Sequence, residues 1–544
     1  MSRNFVTSQQ RQASQPGNDI PRSLFDMSHD ISTAFDAGQL IPFLAHDLLP
    51  GDTFTGKLDG FGRLTSMIRP LMDGLYLDFH VWAVPYRLIF EDWKYLMGEK
   101  DNPTDPDPDV EMPEVTVPVG GFAENSLFDY LGIPPSVDHE WVSAIFSRAY
   151  ALVWNQFYRD QNLQDQTPFD AGLGPDTAAD FPILPRNKRH DLFTSSLPWP
   201  QLPGGEQTLP LGTSAPVALT SNAISGTGVP SFNVSGNTMT LQKLTGGTQA
   251  VSWSSATGTD TTPAWSNPNL ILSNINGLAD LSSATAPTVN VVREAFMLQA
   301  IAELEARSGR RLQELVRGHF GVMGKDYRLQ LPEWVAGATH TVQSNPVIQQ
   351  SGYGDAGGPH EELGAVGAFG TVNGTLNFSY STTEHCVLLG LVSARSSLSY
   401  AQGLDKKFSR RTKYDHYFPH LAHLGEAPVY NREIYADGSL GGTEDDDDGI
   451  WGYNEAWAQY RRMHSVRTAE MRPQHSQTLA VYNLTEEFAT RPHLNDDFIK
   501  VNPPMDRILA VNGDARQFKI DLWMDVKFAR PLPVYSVPGL ATRL

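Results

Sequence analysis

The chain has 544 residues, of which 40% are hydrophobic and 19% charged, with 46 Gly and 38 Pro; this describes a globular protein with a large core and many turns, and excludes a disordered or collagen-like chain. A formal net charge of −20 excludes uniform binding to nucleic acid but leaves room for one locally basic face. A single cysteine, Cys386, excludes an intrachain disulfide framework and fits a reducing cytoplasm; within "EHCVLLGLV" it reads as a buried thiol on a strand.

Residues 1–22 carry Arg3, Arg11 and Arg22 against Asp19 among Gln, Ser and Asn, and read as a flexible, mildly basic arm. No apolar run of signal-peptide or membrane-spanning length follows, so a soluble protein without membrane insertion is expected. From Asp52 the pattern turns to strands, and in "LYLDFHVWAV" Leu75, Leu77, Phe79, Val81 and Ala83 alternate with Tyr76, Asp78, His80 and Trp82, the pattern of a half-buried strand. "DNPTDPDPDVEMPEVTVP" is acidic and proline-punctuated, an extended, solvated connection. In "HEWVSAIFSRAYALVWNQFYRD", Trp141, Ile145, Ala149, Leu152 and Phe157 follow helical spacing and predict a packing helix with one buried stripe.

"KRHDLFTSSLPWPQ" brings His190 and Asp191 close to Ser195 and Ser196. A hydrolytic triad draws its members from separate parts of a fold, and no Gly-x-Ser-x-Gly elbow surrounds these serines, so the stretch reads as packing. From 206 to 290 the only charged residues are Glu206, Lys243, Asp260 and Asp280, in a Ser/Thr/Gly/Asn background; this predicts an insertion of short hairpins that presents a low-charge surface. Val291, Ala295, Leu298, Ala302 and Glu305 mark a helix, and Leu312, Leu315 and Val316 a second. Strands return near 338–349, 370–380 and 385–394. In the last, "FKIDLWMDVKF", Phe518, Ile520, Leu522, Met524, Val526 and Phe528 share a face. Strands at both ends with helices in the excursions predict an antiparallel sandwich with enlarged loops.

Several motifs invite chemistry and lack its context. "GYGDAGG" has the glycine spacing of a dinucleotide loop but no helix opening after it. His416, His420, His423 and Glu426 resemble a ligand set, with Pro419 breaking the helix that would align them. "EDDDDGIWGYNE" places Glu444, Asp446, Asp448, Gly449 and Glu455 near calcium-loop spacing without an incoming helix, so a solvated acidic turn is expected. No catalytic residue, metal or cofactor is assigned. The candidate nucleic-acid-binding residues are Lys406, Lys407, Arg410, Arg411 and Lys413, interleaved with Phe408 and Tyr414, together with Arg3 and Arg11 of the arm. Cations that neutralise phosphate beside aromatic faces that stack bases are the ingredients of single-strand binding.

Nine segments in order, "IPRSLFDMSHDISTAFDAGQLIPFLAHDLLPGDTF", "RPLMDGLYLDFHVWAVPYRLIFEDWKYLMGE", "KRHDLFTSSLPWPQ", "ELEARSGRRLQELVRGHFGV", "RLQLPEW", "YAQGLDKKFSRR", "HLGEAPVYN", "GYNEAWAQYR" and "RPLPVYSVPGL", resemble the major capsid protein of Microviridae, most of all its gokushovirus-type members. The resemblance implies a mainly β fold, a viral jelly-roll antiparallel β-barrel with long, partly helical loop insertions, with residues 23–544 as one capsid domain and 206–290 as its variable surface protrusion. It implies pentamers and an icosahedral T=1 shell around circular single-stranded DNA. It also implies partners: a small DNA-associated protein, internal scaffolding proteins and a host-cell receptor, in a virion assembled in the bacterial cytoplasm. A β-sandwich carbohydrate-active enzyme and a receptor-binding module are the competing readings; neither accounts for the length of the resemblance.

Overall fold

Two antiparallel sheets carry the fold in the computed structural model, which describes residues 22–102, 110–138, 141–200, 289–309, 311–322, 330–350, 364–439, 445–510 and 516–535, with the backbone of short strands between 217 and 279. The barrel strands are β1 (Ser23–Asp26), β2 (His29–Phe35), β3 (Ile41–Leu48), β4 (Thr53–Met67), β5 (Leu75–Pro85), β6 (Glu333–Thr341), β7 (Gln343–Ile348), β8 (Val366–Ser381), β9 (Cys386–Ser396) and β12 (Phe518–Arg530); β10 (Glu426–Tyr430) and β11 (Ile450–Glu455) form a separate pair. In the first sheet β1 and β2 both pair with β12, followed by β4, β8 and β7; the second runs β6-β5-β9-β3.

The alternation in "FKIDLWMDVKF" sets the first sheet against the core. Phe518, Ile520, Leu522, Met524, Val526 and Phe528 are all at most 4% exposed, while Trp523, one residue along, is 51% exposed. Their neighbours across the ladder are β4 residues: Leu522 faces Gly60, Met524 faces Leu58, and Phe528 faces Phe54, whose rings lie 4.8 Å apart. Leu77, Phe79, Leu388 and Val392 of the second sheet complete the same core. Each such buried side chain contributes about 1.5–3 kcal/mol of transfer free energy.

The second sheet departs from the half-buried expectation. Trp82 and Val84 of β5, with Val387, Leu389 and Leu391 of β9, pack on the face away from the barrel into a second core. Every residue of β9 is buried, Cys386 included, and burial pushes its thiol up to about 11. A strand covered on both sides needs apolar residues at successive positions, so the near-continuous run of "CVLLGLV" follows from its double burial. What covers it is the chain after β5, centred on the helix Ile145–Val153. That helix is not a one-stripe element: seven of its side chains besides Ile145 are buried, Arg148 among them, while Trp141 and Phe157 lie outside it and are 52% and 38% exposed. The Arg148 guanidinium is held at both edges by Asp176 (2.6 and 2.7 Å) and by the carbonyls of Ile89 and Gly172.

The predicted helices before and after residue 309 form as Val289–Ser308 and Leu312–Phe320. Residues Gln201–Leu304 make a compact unit of their own, in which Ser231–Val234 pairs with Asn237–Thr240 and Ile271–Ser273, and Val217–Ser221 pairs with Ile275–Ala279. Arg3, Arg11, the "GYGDAGG" loop and Glu444 lie outside the described residues. No helix among the described residues is long and apolar enough to cross a membrane.

Candidate nucleic-acid interface

The basic run after β9 is organised by two short capped turns. Asp405 accepts a hydrogen bond from the Lys407 amide (3.0 Å), starting the turn Lys406–Phe408, and pairs with the Lys407 ammonium at 2.9 Å. Asp415 closes the next turn, Lys413–Asp415, by accepting from the amides of Thr412 (2.7 Å) and Arg411 (2.9 Å) and from the Thr412 hydroxyl. Those donors hold the Asp415 carboxyl below the usual carboxylate range. Its charge is thus occupied with its own turn, and the Arg411 and Lys413 side chains extend into solvent without an ion pair among the described residues.

The candidate residues do not all serve one surface. Lys406 points inward, 3.4 Å from the carbonyl of Pro428 and 3.9 Å from Glu433, whose carboxyl is pushed up by burial against the pull of that lysine. Phe408 and Tyr414 are 72% and 65% exposed, with Lys407 and Lys413 over their rings at 5.0 and 4.8 Å. Arg410 lies over Tyr460 at 4.6 Å, and Tyr417 meets Trp457 edge-on at 5.6 Å. These contacts bring in a second basic stretch, "YRRMHSVR" from Tyr460 to Arg467, which is not among the candidates that the sequence suggests. An aromatic followed by paired arginines is the signal that marks it. Of its cations, Arg461 pairs with Glu455 and Arg467 with Asp73, whereas the partners of Arg462 among the described residues are neutral oxygens, the Asp191 carbonyl and the Ser195 hydroxyl.

That last contact settles what "KRHDLFTSS" does. The Asp191 carboxylate caps a turn by accepting from the amides of Phe193 (2.9 Å) and Thr194 (2.8 Å), and the hydroxyls of Ser195 and Ser196 donate back to the carbonyls of Asp191 and Leu192. The turn buries Phe193 in a third core with Tyr400, Trp451 and Phe498. The serines are turn-forming groups.

The acidic turn is not simply solvated, as expected from its composition. Asp447 is 7% exposed and shares Arg491 with Asp437, both at 2.7 Å, and Asp448 pairs with Arg432 at 2.7 Å. Glu426, grouped above with three histidines, instead pairs with Arg307 at 2.5 Å.

The surface therefore offers exposed cations next to exposed aromatic rings, a combination that takes up a flexible polyanion with flat bases and reads little of its sequence. Comparison with known proteins places the whole chain alongside one group. A family model described as "Capsid protein (F protein)" matches residues 13–540. The chain is 38% identical over 532 residues to capsid protein VP1 of Bdellovibrio phage phiMH2K, 36% over 582 to capsid protein VP1 of Chlamydia phage 1, and 32% over 542 to capsid protein VP1 of Spiroplasma virus 4. Each match covers 96% of this chain and 96% of the relative.

Proposed function

Because the chain belongs to the capsid protein (F protein) family and is a structural shell subunit, not an enzyme, we propose that it closes through pentamers into a T=1 icosahedral shell around a circular single-stranded DNA genome. The observation that carries this reading is the strand order. In chain order β2, β3, β4, β5, β6, β8, β9 and β12 switch between two sheets at every step except β5 to β6, giving β2-β12-β4-β8 and β6-β5-β9-β3, the order that two interleaved Greek keys generate; this supports a viral jelly roll. The long connections after β5 and after β9 are then its enlarged loops.

Within the shell, Lys407, Phe408, Arg410, Arg411, Lys413 and Tyr414 face the genome, and Arg3 and Arg11 of the arm also bind it. Binding proceeds by counterion release and stacking with little base readout, so it weakens steeply with salt. Acidic outer surfaces reconcile a net charge of −20 with packaging. The low-charge segment 206–290 is the outward protrusion that meets the host receptor, and a small DNA-associated protein and internal scaffolding proteins assist assembly in the host cytoplasm. Each contact between subunits is modest, and closure makes them collectively strong.

The test is to express the full chain alone and with its neighbouring phage genes, then measure sedimentation together with nuclease-protected nucleic acid. A uniform closed particle that protects DNA is expected. A monomer in both preparations with no protected nucleic acid would overturn the reading.

A further inference from the structure

A cleft of ≈730 Å³ opens beside β5 and β6, within the size range of small-ligand sites. We propose that it is a nucleotide pocket, in which an unpaired base stacks on Trp334 while its phosphate is held by Arg189 and Arg462. The inference rests on the genome-binding reading above only for the polymer that supplies the nucleotide.

Two departures from regular backbone and one glycine build its aromatic wall. The pairing of β6 with β5 slips between Trp334 and Ala336, and such a bulge re-aims the side chain it carries. Opposite, the helix Ile145–Val153 runs into a π-helical turn, Trp154–Tyr158, a rare form that recurs at functional sites and here presents Phe157 and Tyr158. Beneath the indole sits Gly337, where a Cβ would lie 2.4 Å from the Trp334 ring and 3.2 Å from His80, so that only glycine leaves the ring its place. Trp82 stacks on Phe157 at 4.2 Å and meets Trp334 edge-on at 4.7 Å, which fixes the indole while leaving it 48% exposed to the cleft. The wall is also uncharged: burial, then Arg186, lowers His80 to about 4, and its Nδ1 shares a 2.5 Å hydrogen bond with the Tyr158 hydroxyl.

Among the described residues, Arg189 and Arg462 are cations of this cleft with no acid partner. Arg186 is held by Asp78 at 2.8 Å, Lys188 by Glu486 at 3.2 Å and Arg307 by Glu426. The acids are equally occupied, Glu314 with Arg311, Glu455 with Arg461, and Asp160 in accepting from the amides of Asn162 and Leu163. Arg189 is exposed and has no ion pair among the described residues, and Arg462 is oriented at 2.9 Å by the Ser195 hydroxyl without a carboxylate. Two guanidinium groups without an acid among the described residues, in the same cleft as a half-open indole, suit a ligand that is flat at one end and anionic at the other.

The experiment uses the full chain. Oligo-dT and dTMP are titrated by tryptophan fluorescence and by filter binding into wild type, Trp334→Ala, Trp334→Phe, Arg189→Ala and the double variant Arg410→Ala/Arg411→Ala, and DNA-filled particles are photo-crosslinked and mapped by mass spectrometry. Trp334→Ala and Arg189→Ala are each expected to weaken oligo-dT binding roughly tenfold, with Trp334→Phe within about threefold of wild type because it keeps a stacking face. Crosslinks at the Trp334 peptide assign the ligand to the genome; Trp334-dependent dTMP binding without them keeps the pocket and assigns it to free nucleotide. Wild-type binding by Trp334→Ala and by Arg189→Ala, which also shows that both variants fold, overturns the pocket. If the Arg410/Arg411 variant is then weakened, the basic surface stands without the pocket; if it too binds normally, both readings fall.

Discussion

The guanidinium of Arg410 lies 4.6 Å from the centre of the Tyr460 ring, and this contact joins two basic stretches that are distant in the chain into one surface. Neither stretch alone has the cations and rings that the pair presents, since Lys406, Arg461 and Arg467 are each bound to an acid.

Replacing Arg410 and Arg411 together by Ala is therefore expected to reduce DNA per particle and to lower the salt slope of single-strand binding by about 1.4, at roughly 0.7 per lost phosphate contact. Tyr460→Ala should shift the same readouts in the same direction by loosening Arg410. Unchanged packaging with an unchanged slope would remove this cluster from the genome-facing surface.

Adjacent positions on β12 separate core from surface. Leu522 is fully buried and Trp523 is 51% exposed. Leu522→Ala is expected to cost about 2–5 kcal/mol through lost transfer energy and a residual cavity, and Trp523→Ala no more than about 1 kcal/mol. Denaturant titration of the unassembled chain measures both; equal losses would contradict the assignment of the two faces.

Arg148 and Asp176 form a buried pair, 0% and 8% exposed at their side chains. Arg148→Met strands a carboxylate in the second core and should cost roughly 3–5 kcal/mol, whereas Arg148→Met with Asp176→Leu should recover much of that loss. A double variant no more stable than the single one would show that the guanidinium's bonds to Ile89 and Gly172 dominate instead.

His80 makes stability depend on pH in a defined window. Burial and Arg186 depress its pKa from 6.5 to about 4, so the unfolded chain takes up the proton first. Its contribution is intact above pH 6.5, is lost as the pH falls from 6.5 towards 4, and changes no further below; the full depression corresponds to roughly 3 kcal/mol. His80→Gln lacks this loss. The unfolding free-energy difference between wild type and variant should therefore move in the variant's favour between pH 7 and pH 4.5, and a pH-independent difference would refute it.

Excision of residues 206–290 with a short Gly/Ser replacement is expected to leave closed particles while abolishing attachment to host cells. Failure of particles to form would instead make this segment part of the shell contacts.

The sequence by itself determined the family and the barrel strands from β5 onward. The segments that resemble Microviridae capsid proteins lie within a family match over 13–540, and period-two alternation located β12 because one face of that strand meets the core and the other meets water. Where an element is covered on both sides, that signal vanishes. β5 read as half-buried because alternation distinguishes two faces only when their environments differ, and the helix Ile145–Val153 lost its stripe for the same reason. Only the tertiary structure decided which charges are free. Composition counted Lys406 with Arg411 and called "EDDDDG" solvated, but ion pairing depends on neighbours across the fold: Glu433 takes up Lys406, Arg491 takes up Asp447, and Arg462, absent from the sequence-based candidates, is left without an acid. Charge neutralisation is a property of space, and sequence spacing reports it only within a turn or two of one element.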